Sequence, residues 1–364
     1  EFKEGDAPAM TSLKLTVAKQ VPVINLEPYT SKTYDGKPID VSKIDLYSVT
    51  DGGRKWEFKP VDADESAYTA TAPKNAGKYN VRLTLTETDN FQSGSVEVVY
   101  EIFTKGVTIT GASVEAAKVY DGTTAAKITN SGTLSDNYDG ENLTIVTGTA
   151  AYEDKNVGTA KAVTFADFSL GGSAAENYQL TAQPETVTAD IIAKAVTIDG
   201  VTVEPTKVYD GETTAKITNS GTLSANYDSE NLAIVTGTAA YEDKNVGTAK
   251  AVTFADFSLG GSAAGNYALT AQPEAVTADI TAKAVTITGA TVEAAKVYDG
   301  TTAAKITSAG TLSDNYDGEN LTIVTGTAAY ADKNVGTAKT VTFTGFTLGG
   351  SAAGNYALTA QPEA

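Results

Sequence analysis

The densest set of oxygen ligands in the sequence is the run Asp136-Asn137-Tyr138-Asp139-Gly140-Glu141-Asn142. Asp136, Asp139 and Glu141 are carboxylates of the kind that hold calcium, a hard cation that takes roughly six to eight oxygens. An EF-hand register needs oxygen side chains at alternate positions before its glycine, and Tyr138 occupies one of those positions. A second copy of the run reads Ala225-Asn226-Tyr227-Asp228-Ser229-Glu230, with one carboxylate and the glycine gone. The segment therefore reads as a solvated hairpin before it reads as a calcium site, and no other cofactor is expected. Glu153-Asp154 has the residue types of acid–base chemistry. Neighbours in a strand or turn point different ways, however, and Glu153 becomes Ala331 in the third copy. No catalytic residue is assigned, and the chain is not expected to be an enzyme.

Lysine and asparagine can join as an intramolecular amide where an apolar site shifts both the amine and a nearby acid towards neutrality. Lys118 or Lys194 with Asn177 supplies the residue types, although a surface lysine and a turn asparagine is the plainer reading. Tyr120, Tyr138, Tyr152 and Tyr178 recur in each regular copy. Exposed rings stack on sugars, but tyrosine is also an ordinary core and edge residue of antiparallel sheets, its hydroxyl reaching backbone or solvent. Trp56, the only tryptophan, stands with Arg54 and Lys55 and is the better candidate for contact with a host or polysaccharide ligand. Its Trp-Glu-Phe alternation equally suits a strand.

Composition removes several classes. With no histidine and no cysteine there is no Ser-His-Asp triad, cysteine nucleophile, disulfide or ordinary zinc site. A formal charge of −18 argues against nucleic acid and anionic membrane surfaces as partners. No apolar run approaches the ~20 residues of a membrane span, so membrane insertion is not expected.

The elements that must carry these residues repeat. Lys-Val-Tyr-Asp-Gly begins at Lys118, Lys207 and Lys296, 89 residues apart, and Asn-Tyr recurs at Asn177, Asn266 and Asn355 with the same period. The first hundred residues read as a diverged fourth copy: Lys32-Thr33-Tyr34-Asp35-Gly36 matches the first element, Lys74-Asn75-Ala76-Gly77 matches Lys155-Asn156-Val157-Gly158, and Asn90-Phe91 matches Asn177-Tyr178. Within a copy the apolar period is two, as at Leu232-Ile234, Val252-Phe254 and Val276-Ala278-Ile280, which predicts half-buried antiparallel strands. Asp121-Gly122 between two such runs predicts a two-residue hairpin. Gly158 and the Gly171-Gly172 pair are expected to need positive φ. Joints such as Ile192-Ala193-Lys194-Ala195 are short, of constant length and free of glycine and proline, so neighbouring modules should touch. The expected fold is all-β: tandem immunoglobulin-like β-sandwich modules in an elongated rod, with β-grasp-like modules as the alternative. The boundaries fall at 1–104, 105–193, 194–282 and 283–364, the last module lacking its final strand.

At KVYDGTT, at DKNVGTAK and at GGSAAGNYALTAQ the sequence resembles the YDG-type repeat of bacterial surface proteins. The first module, with KTYDGKPI and APKNAGKYNVRL, resembles the MBG-type domain found beside such repeats. The resemblance implies a secreted, non-catalytic stalk of an adhesin at the cell surface, projecting a binding head. The sequence has no LPxTG-type sorting motif and reads as a piece of a larger protein. Besides neighbouring modules of the same chain, two partners are expected as alternatives. One is a ligand of the first module. The other is a further copy of the chain, joined head to tail by strand addition at the unclosed third repeat.

Overall fold

The computed structural model describes residues 14–26, 30–44, 46–49, 52–138, 140–227, 230–316 and 318–363. Among them the regular structure is strand, apart from short 3-10 turns such as Ala264–Asn266. No helix is long and apolar enough to cross a membrane. The chain divides into two compact units, Glu1–Lys118 with Thr123–Asp190, and Val119–Gly122 with Ile191–Ala364.

In the second unit, the second regular module shows how the repeat folds. Its main sheet runs Thr206–Val208, Val276–Thr281, Gly247–Ala255, Thr238–Tyr241. The first pair is parallel and the other two are antiparallel. Lys194–Val196 pairs in parallel with Tyr267–Leu269, and Ala233–Val235 pairs antiparallel with Ser258–Gly260. Parallel pairs thus join the antiparallel strands that alternation predicted. Along Gly247–Ala255 the inward positions Lys250, Val252 and Phe254 are buried, as a period of two requires. They meet Tyr209, Tyr241, Phe257, Ala278 and Ile280 in one core.

Two turn expectations are corrected. The hairpin expected at Asp121-Gly122 does not form: beyond the turn Ala125 bridges Ala151, as Thr214 bridges Ala240 in the next module. The physical reason is visible in the second module. The strand before the turn already pairs in parallel with Val276–Thr281, so the chain crosses to the far edge of the sheet. Positive φ occurs at Gly172 (+88°) but not at Gly158 or Gly171; Ala160 takes the left-handed conformation instead, at 49°. At the equivalent Ala249 the strand slips register between Gly247 and Lys250, forming a bulge. The Ala249 N–H, freed from the ladder, donates to Asp279 Oδ1 at 2.8 Å, and Ala160 donates likewise to Asp190. That bond offsets the ~1–2 kcal/mol cost of left-handed backbone at an L-residue.

In the first unit, the N-terminal domain has the same sheet order, Ser31–Thr33, Gly94–Phe103, Gly77–Leu85, Arg54–Pro60, with the second and fourth strands longer. Its first pair is again parallel. Phe58, Val81, Tyr100 and Ile102 form its core, which continues into Val107, Ala174 and Tyr178 of the first regular module. One buried cluster in this unit thus includes residues of both modules.

Candidate functional site

The Lys-x-Tyr-Asp-Gly element builds a turn that projects a tyrosine. In the second module Lys207 donates to Asp210 Oδ1 at 2.7 Å and to the carbonyls of Glu212 and Thr214. Asp210 also accepts the Glu212 N–H at 3.0 Å, closing an Asx-type turn. Gly211 completes the turn at φ +82°, where a β-carbon would be strained. Burial pushes the Asp210 carboxyl up, but the Lys207 and Glu212 hydrogen bonds outweigh it and hold the group below the usual range. The N-terminal domain repeats the device with Lys32, Asp35 and Gly36, Asp35 accepting from Lys32 Nζ at 2.8 Å and from the Lys37 N–H at 3.0 Å.

The projected tyrosine enters a socket on the following module. In the second unit Tyr209, 1% exposed, lies edge-on to Tyr316 and Tyr356, with centroids 6.0 and 5.5 Å away. Its hydroxyl donates to Glu319 Oε1, while Tyr356 donates to Glu319 Oε2 at 2.5 Å. The Tyr356 hydroxyl in turn accepts the Tyr316 N–H at 3.1 Å, and Lys283 lies 4.4 Å over the Tyr316 ring. Lys244 donates to Glu319 at 3.1 Å. A second clasp sits beside it: Asn355 Oδ1 accepts the Val246 N–H at 2.9 Å, and its amide donates to Asn245 at 3.1 Å.

In the first unit Tyr34 fills the same socket, 6.1 Å from Tyr138 and 5.4 Å from Tyr178, donating to Glu141. Tyr178 donates to Glu141 Oε2 at 2.5 Å, and Asn177 Oδ1 accepts the Ala76 N–H at 2.8 Å. A third socket, within the second unit, holds Tyr120 against Tyr227, Tyr267 and Glu230 with centroid distances of 5.8 and 5.5 Å. The parts therefore recur with near-constant geometry.

Three segments, 104–187, 192–275 and 281–364, match the YDG domain. The chain belongs to the YDG domain family. Among solved structures, that of the Bacillus anthracis TIE protein is similar at 9% identity over 94% of this chain and 72% of that one, with a TM-score of 0.26. No curated protein matches the chain.

The electrostatics of the YDG sockets keep their protons in place. Burial first, and then the hydrogen bond to the glutamate, pushes Tyr178, Tyr267 and Tyr356 up to about 12 and raises Tyr34 and Tyr209 as well. Burial pushes the Glu319 carboxyl up, but donation from Tyr209, Tyr356 and Lys244 outweighs it, so Glu319 titrates below the usual carboxylate range. A carboxylate accepting two phenols is a charge-assisted contact that satisfies a half-buried anion. It is an acceptor for a fixed tyrosine, not a general base beside a cleft.

The other residues singled out by sequence fall as follows. Glu141, proposed for calcium, is occupied by two tyrosine hydroxyls. Asp136 stands in the same loop at φ 61°, and Asp139 lies outside the described residues. Among the described residues no group of three or more acidic side chains is placed to hold a metal ion. Asn177 is engaged by the Asn75-Ala76 loop, and Lys118 donates to the Thr123 and Ala125 carbonyls. Asn177 and Lys118 thus have other work, and the alternative lysine, Lys194, lies 5.2 Å over the Tyr227 ring. Glu153 and Asp154 flank Lys161, at 3.7 and 2.8 Å, in an ion pair that steadies the loop. Tyr152 and Tyr178 are core residues. Trp56 is half-buried against the N-terminal core, on the same strand as exposed Arg54. The other arginine, Arg82, is taken up by Glu57, Glu65 and the Tyr68 ring.

Sequence reasoning singles out Glu141 but misses its part in the tyrosine socket. Its signal was available: Glu141, Glu230 and Glu319 keep the 89-residue period while Asp136 and Gly140 become Ala225 and Ser229. What a loop retains among its own copies marks the socket; what it loses had been weighed instead.

Proposed function

We propose that the chain is a non-catalytic spacer of a secreted bacterial surface adhesin, in which YDG domains hold successive modules in a set orientation and so carry a binding head away from the cell. The N-terminal domain, which shares the sheet order, is read as the MBG-like module that precedes such repeats. One observation carries the reading: within each unit a tyrosine of one module seats on a glutamate of the next, with the same partners. The socket's polar groups are engaged by one another, which suits a joint better than a ligand site. Acidity supports it, since a charge of −18 keeps a long extracellular chain soluble.

The test uses the absence of cysteine. Spin labels at Thr218→Cys and Thr307→Cys, equivalent exposed positions of the second and third YDG domains, report their separation in the full chain. A single narrow distance distribution that broadens in Tyr209→Ala is expected. A broad distribution in the otherwise unmodified chain would sink the spacer reading.

A further inference from the structure

The strands by which the second YDG domain joins the rest of the chain are each paired across the domain, from its first part to its last. The chain enters through Lys194–Val196, which lies parallel to Tyr267–Leu269, and leaves through Val276–Thr281, which lies parallel to Thr206–Val208. Backbone bonds carry both pairs past their ends. The Thr270 N–H donates to the Val196 carbonyl at 3.1 Å, the Asp279 N–H to that of Pro205 at 2.9 Å and the Tyr209 N–H to that of Thr281 at 2.8 Å. Side-chain hydroxyls add to them, Thr270 donating to the Val196 carbonyl at 3.3 Å and Thr281 to that of Lys207 at 3.1 Å. The first YDG domain repeats the entry pair, Lys105–Val107 with Tyr178–Leu180, and extends it with the Thr181 N–H on the Val107 carbonyl.

Parallel pairing is slightly weaker per residue than antiparallel pairing and needs a long crossover. What it supplies here is a direction of resistance. Tension draws Lys194–Val196 towards its N-terminal end and Val276–Thr281 towards its C-terminal end. A partner that runs the same way is then pulled in the opposite sense along a shared axis. The hydrogen bonds of each pair lie across that axis and are loaded together. In an antiparallel pair drawn apart from one end, as Thr238–Tyr241 would be from Gly247–Ala255 at Thr238↔Ala255, they break in turn. Those two strands lie outside the load path, which crosses from Lys194–Val196 to Tyr267–Leu269 and from Thr206–Val208 to Val276–Thr281. On the exit strand Ala278 and Ile280 are buried, so sliding that strand also pulls its side chains out of the core.

We propose that these two parallel pairs make the second YDG domain a shear clamp that bears tension along the chain. The strands between them are released only after both pairs have slipped. The clamp concerns load and not orientation, so it stands whether or not the chain serves as a spacer.

The sequence has no cysteine, so pulling handles attach only where one is introduced. Full-length chains carrying Ala195→Cys and Ala284→Cys, exposed positions one repeat apart, load the second domain as tension along the chain would. A second chain carries Thr238→Cys and Ala255→Cys, also exposed, and loads the end of the antiparallel pair. Held at one force, the first should take at least about tenfold longer to open than the second, as one or two further hydrogen bonds in the barrier imply. In the Ala195→Cys, Ala284→Cys chain, Ile280→Ala on the exit strand should shorten the opening time at least about tenfold. Phe257→Ala, in the same core but off the load path, should shorten it by less than about threefold. Comparable shortening by the two substitutions, or a domain that opens as fast as the peeled pair, overturns the proposal.

Discussion

The second and third YDG domains have nearly the same sequence and differ in what surrounds them. Lys207 lies in a strand paired with Val276–Thr281, whereas Lys296 lies in no strand. Tyr209 is 1% exposed in a socket, whereas Tyr298 is 58% exposed. The turn itself survives in both: Lys296 pairs with Asp299 at 2.8 Å and the Thr301 N–H donates to Asp299 at 2.9 Å. Hydrogen bonds within five residues thus build the turn without help. The strand needs a partner strand, and the tyrosine's burial needs the next module. Local, domain-level and inter-domain order are separable in one chain.

The comparison breaks most sharply at the tyrosine. Tyr209→Ala empties a filled socket and removes one of the donors to Glu319, so it should cost about 3–5 kcal/mol, as truncation of a buried aromatic does. Tyr298→Ala should stay within roughly 0.5 kcal/mol, as exposed substitutions do. Hydrogen exchange of residues 316–321 and 353–358 against denaturant reads the first; comparable losses for both variants would refute a role for the socket.

What was legible in the sequence was whatever depends on local spacing. Alternation at Val252-Phe254 and Val276-Ala278-Ile280 named strands, and the 89-residue period named modules. The turn at Asp121-Gly122 was visible but its topology was not, because a hairpin and a crossover share the same Asp-Gly signature and differ only in the partner of the preceding strand. Ala160 at positive φ was hidden for the same reason: an alanine becomes left-handed where a bulge and a distant Asp190 hold it so. Glu141 looked like a calcium ligand because its tyrosine donors stand 37 and 107 residues away. A site made by pairing modules leaves its trace in the period, not in any one loop.

The glutamate gives the most modest change and the most specific signature. Glu319→Gln keeps one carbonyl acceptor but sets an amide donor against a phenol donor, so about 1–2 kcal/mol of junction stability should go. The pH dependence separates this from a packing defect. Tyr356 titrates near 10.0 when unperturbed and is pushed up to about 12 in the socket. A raised value stabilises the protonated, folded form, so its contribution is complete below pH 10 and lost as pH rises through about 12. Glu319 is displaced the other way. Its contribution is complete above the usual carboxylate range and lost as acid brings the pH down through its lowered value. The junction of the second and third domains should therefore weaken at both ends of the scale and hold level between. In Glu319→Gln the acid limb should vanish, and the alkaline limb should begin at lower pH because the carboxylate helps to raise Tyr356. Hydrogen exchange at Tyr316 and Tyr356 across pH, corrected for intrinsic rates, resolves both limbs. An acid limb that persists in Glu319→Gln would mean that some other carboxylate governs the joint.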